Sequence, residues 1–156
     1  MRIRILIPLM LLIAPSLTFG QDDPRAMAVA KETLDRGSAL FDRRDAKAMT
    51  ATFVEDAEII LIKRASDSDK VELENRRGKA AIEKTYSDIF KDREPEHRCR
   101  NTVESARFVG EDLLLIRGRF AFNVDQGDLA EFVQVRARED NQWKIVTLQL
   151  MPIPKE

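Results

Sequence analysis

Residues 45–62, DAKAMTATFVEDAEIILI, contain the change of pattern that decides the fold. Asp45 is a residue type that caps helices, and Met49 and Phe53 follow it on the same face of a helix. From Ala57 the pattern changes to an isoleucine-rich run, which is typical of a strand covered on both faces. The stretch therefore predicts a short helix that leads directly into a buried strand over residues 57–63.

Two acidic residues, Glu55 and Asp56, stand at this change of pattern. They are either an acid/base pair at the mouth of a pocket or part of the turn between helix and strand. A carboxylate at such a corner most economically accepts hydrogen bonds from backbone N–H groups of the turn. We favour the turn role and keep a catalytic role as the alternative.

The flanking sequence predicts the remaining elements. Asp23 and Pro24 begin an amphipathic first helix over residues 24–43. Gly37, in the middle of this helix, reduces its stability by roughly 1 kcal/mol relative to alanine. A glycine at this position would be explained by close packing of another element, which we therefore predict. A strand over 71–77, a third helix over 79–90 and four strands over 97–109, 113–124, 129–139 and 142–151 follow, joined by turn sequences. This order, with helices on one face of a sheet, predicts an α+β fold.

The first twenty residues have the pattern of a secretory signal peptide. Arg2 and Arg4 precede a short apolar stretch, and small residues lead up to Gly20. An uncleaved membrane anchor is the alternative, but the apolar stretch is much shorter than the ~20 residues that a spanning helix needs. We predict a signal peptide over residues 1–20 and one exported domain, periplasmic or extracellular, over residues 21–156.

Composition and cysteine content restrict the possible ligands. The chain has 26 basic and 27 acidic residues, and this balance argues against nucleic acids and anionic membranes as partners. Cys99 is the only cysteine, so it forms no internal disulfide, and we expect it to be buried. His97 shares a strand face with Cys99, but two ligands without a third make a poor zinc site. We predict no metal and no cofactor.

Three segments resemble the SnoaL-like group of the nuclear-transport-factor-2-like superfamily. They are FDRRDAKAMTATFVEDAEII at 41–60, RRGKAAIEKTY at 76–86 and NQWKIVTLQ at 141–149. The segment VESARFVGEDLLLIRGRF at 103–120 further resembles the SgcJ/EcaC-type branch, many of whose members are secreted. The resemblance covers about residues 26–151 and so nearly the whole predicted domain.

The resemblance implies a cone-shaped, curved antiparallel sheet of about six strands, wrapped around the long first helix and accompanied by two shorter helices. It also implies an apolar cavity at the open end, and a homodimer that forms through the outer face of the sheet. We expect Arg117, Arg119, Glu131 and Arg136 to form ion pairs in that interface rather than to act in catalysis. The activity is not implied, because this fold hosts enzymes of several classes beside non-catalytic binding and assembly domains.

The residues that act in steroid-isomerase relatives are replaced in this sequence. The resemblance places their general base at Leu61 and their tyrosine donor at Gly37, while their second pocket acid falls at Val133 or Val135. Leucine cannot abstract a proton and glycine cannot stabilise an oxyanion, so steroid-isomerase chemistry is not expected.

An epoxide-hydrolase type of site is also not favoured. It would need an arginine between two aspartates inside the cavity. Arg117 or Arg119 would supply the arginine, but Asp125 and Asp128 fall in a predicted hairpin turn.

Two polar residues remain as catalytic candidates. Tyr86 lies on the apolar stripe of the third helix, where its hydroxyl either completes the core at the rim or contacts a ligand. His97 begins the third predicted strand, and its side chain titrates in the physiological range. The residues that we expect to line the pocket are Leu34, Phe41, Leu61, Tyr86, Phe90, Trp143 and Gln149.

Three functional hypotheses follow. We favour an exported domain that binds a small apolar or amphipathic organic molecule in its cavity without steroid-isomerase-type catalysis. The first alternative is an enzyme of isomerase, lyase or dehydratase, hydrolase or oxidoreductase type that uses Tyr86 or His97. The second is a non-catalytic dimeric assembly module whose pocket is filled by Phe41, Phe90 and Trp143.

Overall fold

The computed structural model describes residues 23–64, 71–125, 127 and 129–153. This part of the chain forms helices α1 (Pro24–Asp42), α2 (Ala46–Ala51) and α3 (Lys79–Lys91), and strands β1 (Phe53–Arg64), β2 (Val71–Arg77), β3 (Arg100–Val109), β4 (Leu113–Ala121), β5 (Leu129–Glu139) and β6 (Gln142–Pro152). No helix in these ranges is long and apolar enough to cross a membrane. The predicted signal peptide and Asp128 lie outside the described residues.

The six strands form one curved, open sheet in the order β2-β1-β6-β5-β4-β3. The predicted α+β fold is confirmed. Neighbouring strands are antiparallel except β1 and β6, which run parallel, so the sheet is mixed rather than antiparallel throughout. A parallel pair needs a long connection, and the chain between the first and last strands supplies one.

Acidic side chains begin the first two helices, as the sequence predicted. A side-chain oxygen of Asp23 accepts a hydrogen bond from the backbone N–H of Arg25 at 2.9 Å, next to Pro24 in the first turn of α1. Asp45 accepts one from the backbone N–H of Ala48, also at 2.9 Å. Each bond satisfies a helical N–H group that has no carbonyl partner within its own helix.

The helices cover the two ends of the inner sheet face and leave its centre uncovered. Helix α1 packs mainly on β3, while α3 packs on β1 and β2 and contacts α2. No helix in the described part of the chain packs closely on β5 or β6. The largest fully buried side chains of the core are Phe53, Phe132, Ile82, Leu114 and Ile116.

A polar cluster fastens the segment between α3 and β3 to the end of α1. The buried guanidinium of Arg93 lies 3.0 Å from the carboxylate of Asp42, which also accepts the backbone N–H of Cys99 at 2.9 Å. Arg93 donates to the carbonyl of Phe122 and lies 4.7 Å above the ring of Phe41. The pair is therefore satisfied by hydrogen bonds as well as by charge.

Cys99 is buried beside this cluster, as predicted. Burial raises the pKa of its thiol to about 12, and the neighbouring Asp42 carboxylate acts in the same direction. The thiol stays protonated at neutral pH, so it is a poor nucleophile.

Replacing Asp42 should destabilise the fold. Asp42→Ala leaves the Arg93 guanidinium buried without its counter-charge, which we expect to reduce the free energy of unfolding by about 3 kcal/mol. Urea denaturation measures the change. Asp35→Ala is the control, because Asp35 pairs with Lys31 on the exposed face of α1 and should contribute little. Equal stability of the two variants would contradict the assigned role of Asp42.

Two glycines should respond in opposite directions to alanine. A Cβ at Gly118 would overlap the carbonyl oxygen of Thr102 on the neighbouring strand, so Gly118→Ala should cost about 1–3 kcal/mol of stability. A Cβ at Gly37 would meet no atom within 4 Å. The close packing predicted at Gly37 is therefore wrong, and Gly37→Ala should stabilise the protein by roughly 0.5–1 kcal/mol. Thermal and urea unfolding of both variants check the two signs.

Candidate functional site

An open cavity of about 460 Å³ lies where the helices leave the sheet uncovered. Arg36, Ala51 and Gln142 belong to its wall and are exposed, so they mark the mouth. Buried wall residues form the floor: Leu34, Phe41, Ile59, Phe132, Ile145 and Leu148. A cavity of this size and mostly apolar lining can hold a small organic molecule.

Most of the predicted pocket residues lie in the wall. The structure brings together Leu34, Phe41, Leu61, Tyr86 and Trp143 around the cavity. Phe90 does not line it, because its ring is buried behind the wall against Tyr86, with ring centroids 5.8 Å apart. The aromatic side chains do not fill the space, so the pocket is not plugged as the assembly hypothesis required.

Gln149 lies on the opposite face of the sheet because β6 contains a β-bulge. Arg136 of β5 pairs with Ile145, but the preceding residue Val135 pairs with Thr147, so β6 has one extra residue at this point. The bulge reverses the alternation of side chains beyond it. The prediction assumed a regular strand and was wrong for Gln149, whereas Leu148 and Leu150 face the cavity.

The acids of the opening stretch do not reach the cavity. β1 begins at Phe53 rather than at residue 57, so Glu55 and Asp56 lie within the strand, where both are exposed. The Glu55 carboxylate lies 3.3 Å from the ammonium group of Lys79 at the start of α3. The predicted turn is therefore absent from this described stretch, and neither carboxylate belongs to the wall.

His97 also lies away from the cavity. Strand β3 begins at Arg100, so His97 falls in the preceding segment, where its carbonyl oxygen accepts a hydrogen bond from Arg93 at 3.0 Å. It is not a wall residue and is not brought together with Tyr86. Among the described residues, no group of three or more His, Cys, Asp or Glu side chains is placed to hold a metal ion.

Several polar wall residues were not predicted from the sequence, and two of them lie on β5. Gln134 and Arg136 project from β5 into the cavity beside Phe132, and both are buried. The side chains of Val133 and Val135, which the resemblance placed at the second acid position, alternate with them and face outward. The sequence did contain a signal for these two residues. Phe132, Gln134 and Arg136 are alternate residues of β5 and therefore lie on the same face of the sheet.

Three of the four residues expected to form interface ion pairs, Arg117, Arg119 and Glu131, lie on the outer face of the sheet. Arg117 and Arg119 lie there with Glu104, whose carboxylate is 3.7 Å from the first and 2.8 Å from the second. Arg136 faces inward, so its predicted role in an outer interface is wrong. Its Nε donates to the Gln134 side-chain oxygen at 2.9 Å, and Nη1 donates to the carbonyl of Trp143 at 3.0 Å.

The described wall contains cations but no carboxylate and no imidazole. Arg36 pairs with Glu32 at 3.4 Å and Lys144 pairs with Glu139 at 3.1 Å, and the two glutamates lie outside the wall. Burial lowers the pKa of Arg136 to about 10, which still leaves it protonated at neutral pH. The side chains that most often serve as a general base are thus missing from the described wall.

Tyr86 supplies a hydroxyl to this wall. Among the described residues its hydroxyl has no hydrogen-bond partner. Every fully buried side-chain N or O atom in the described part of the chain does have a partner, so the Tyr86 hydroxyl is not fully buried and reaches the cavity space. Burial holds the pKa of Tyr86 well above its ordinary value of 10. The hydroxyl therefore stays protonated at neutral pH and can donate a hydrogen bond into the cavity.

The sequence matches no protein-family model, and no curated protein sequence matches it. Solved structures do match. An NTF-2 like protein of unknown function from Shewanella oneidensis is 14% identical, with a TM-score of 0.64 over 80% of this chain and 98% of that chain. A ketosteroid isomerase-like protein from Erwinia carotovora atroseptica is 13% identical, with a TM-score of 0.63 over 85% of this chain and 100% of that chain.

A domain of unknown function with a cystatin-like fold from Nostoc punctiforme is 18% identical, with a TM-score of 0.62 over 85% of this chain and 80% of that chain. At these identities the likeness concerns the backbone and transfers no residue roles. The fold implied by the resemblance to nuclear-transport-factor-2-like proteins is confirmed. This chain has the cystatin-like α+β fold of the NTF2-like proteins.

Proposed function

We propose that this protein binds a small amphipathic organic molecule in its cavity without acid/base catalysis of the steroid-isomerase type. The observation that carries the proposal is an open cavity of about 460 Å³ whose described wall contains no Asp, Glu or His. The volume lies in the range of ligand pockets, and the wall is mainly aliphatic and aromatic. Such a wall favours binding and lacks the usual proton acceptors.

The two positions that replace catalytic residues support the same proposal. Leu61 and Gly37, where the resemblance places a base and a tyrosine donor, both belong to the cavity wall. The leucine adds apolar surface and the glycine leaves space. A fold shared with a ketosteroid isomerase-like protein is therefore compatible with a cavity that serves for binding alone.

The enzymatic alternative now depends on Tyr86. His97 lies outside the wall, so Tyr86 is the one of the two candidates that belongs to the cavity. A protonated tyrosine donates a hydrogen bond but does not act as a base while its pKa stays above the ordinary value. The binding function accounts for Tyr86 without a reaction.

We also propose that two copies of the chain pair through the outer face of the sheet. Apolar side chains alternate on that face across the central strands and are only half-buried in one copy: Ile60, Ile62, Leu115, Val133 and Val135. Leu73 of β2 and Leu113 of β4 extend this surface and are exposed. A second copy would remove the apolar surface from water.

Ligand binding can be followed with a single built-in reporter. Trp143 is the only tryptophan and lies in the cavity wall, so its fluorescence should change when a neutral apolar probe such as N-phenyl-1-naphthylamine enters. Gly37→Leu places a side chain in the open space and should weaken probe binding by at least about tenfold. Gly37→Ala is the matched control and should bind nearly as well as the wild type.

No binding of the probe to folded wild-type protein would contradict the proposed function. Equal binding to the wild type and Gly37→Leu would place the probe elsewhere and would also count against the cavity.

The dimer makes a separate prediction. Val133→Lys introduces a charge at the centre of the outer face, where like charges of two copies would meet, and should convert a dimer to a monomer. Analytical ultracentrifugation measures the molar mass. Glu111→Lys, in the exposed turn between β3 and β4, is the control and should not alter it. A monomeric wild-type protein at high concentration would rule out this interface.

A further inference from the structure

Arg136 is a buried cation without a counter-charge in the described part of the chain. It is 4% exposed, and its two hydrogen-bond acceptors, the Gln134 side chain and the Trp143 carbonyl, are both neutral. No carboxylate among the described residues lies within 4.0 Å of its guanidinium nitrogens. A buried charge is unfavourable unless it is paired, so this arrangement calls for an anion.

The other buried arginine shows how this protein treats such a group when no ligand is involved. The side chain of Arg93 is 6% exposed, and it has the Asp42 carboxylate at 3.0 Å together with backbone carbonyl acceptors. The other cations of the described cavity wall, Arg36 and Lys144, likewise have carboxylate partners. Among the cations of the described cavity wall, Arg136 is the exception because it has no carboxylate partner.

The guanidinium is held in place with donors left over. Its bonds to Gln134 and Trp143 use two of the five N–H groups of an arginine, so three have no partner among the described residues. Both bonds also fix the plane of the group relative to β5 and β6. A donor set that is already oriented loses little conformational entropy when it binds a ligand.

We propose that the molecule bound in the cavity is an apolar monocarboxylate whose carboxylate pairs with Arg136. This inference rests on the proposed function and names the chemical class of its ligand. A planar carboxylate matches the fork of N–H groups, and it brings the one negative charge that a single unpaired cation requires. Tyr86 lies in the same cavity wall as Arg136 and offers its hydroxyl as a further donor to the same carboxylate.

The rest of the wall fits the rest of such a ligand. Beyond Gln134 and Arg136 the floor is formed by Phe41, Ile59, Phe132 and Leu148, which offer no charged group. An aromatic or alkyl body would lie on these side chains and remove their surface from water. A ligand with several charges would leave the others unpaired against that floor.

A pair of ligands that differ only in charge tests the proposal. The probes are 4-phenylbutanoate and its amide, 4-phenylbutanamide, and the readout is Trp143 fluorescence confirmed by calorimetry. Wild-type protein should bind the carboxylate at least about tenfold more tightly than the amide. Arg136→Gln should bring the two affinities to within about twofold of each other, because its side chain is neutral.

Two further variants make the result specific to Arg136. Arg136→Lys keeps the charge without the fork, so it should retain part of the preference for the carboxylate. Arg107→Gln removes an exposed arginine from β3, away from the cavity, and should keep the full preference. Because Arg136→Gln removes an unpaired buried charge, we expect it to fold and to unfold at a higher temperature than the ligand-free wild type.

The outcomes separate this inference from the proposed function. If the neutral naphthylamine probe binds but the amide binds as tightly as the carboxylate, the cavity binds ligands and the assignment to Arg136 is wrong. A carboxylate preference that survives in Arg136→Gln would overturn it equally. If neither the neutral probe nor the carboxylate binds, both the proposed function and this inference fail.

Discussion

The cavity depends on how three helices share one face of a six-stranded sheet. Helix α1 packs on one end of the inner face, at β3, and α3 packs on the other, at β1 and β2. The inner surface of β5 and β6 lies between them without a helix packed closely on it. Apolar surface that the helices do not cover must face either solvent or a ligand. The short α2 and the C-terminal half of α1 form part of the walls of this space.

Local physical signals were sufficient to predict most of the fold. Asp23 and Asp45 cap their helices through side-chain hydrogen bonds, which is why the helix starts were read correctly. Strand β2 and strand β5 have the predicted bounds, because turn residues bracket them. The parallel pairing of β1 with β6 was not predictable in this way. It joins distant parts of the chain, and no local sequence pattern in either strand indicates it.

The site was harder to predict than the fold, for two different reasons. Gln149 was predicted on the wrong face of the sheet because a β-bulge depends on pairing between strands, and the alternation of residues in β6 gives no indication of it. Arg136 was missed despite an available signal, its alternation with Phe132. The general expectation that arginines lie at surfaces or interfaces was preferred over that signal. An arginine that is buried in an apolar wall, against this expectation, is the kind of residue that a binding site contains.

The bulge in β6 has a consequence for how this chain can change over time. β6 is hydrogen-bonded to β1 on one side and to β5 on the other. The extra residue in β6 therefore determines which side chains at the centre of the sheet face the cavity. Losing the codon of Val146 would only remove the bulge and would leave Leu148 and Leu150 facing the cavity. Losing one codon beyond the bulge, such as that of Leu148, would instead send Gln149 inward and turn Leu150 outward. Length variation in this part of the strand should thus be far less tolerated during divergence than substitution, whereas the turns at either end can absorb both.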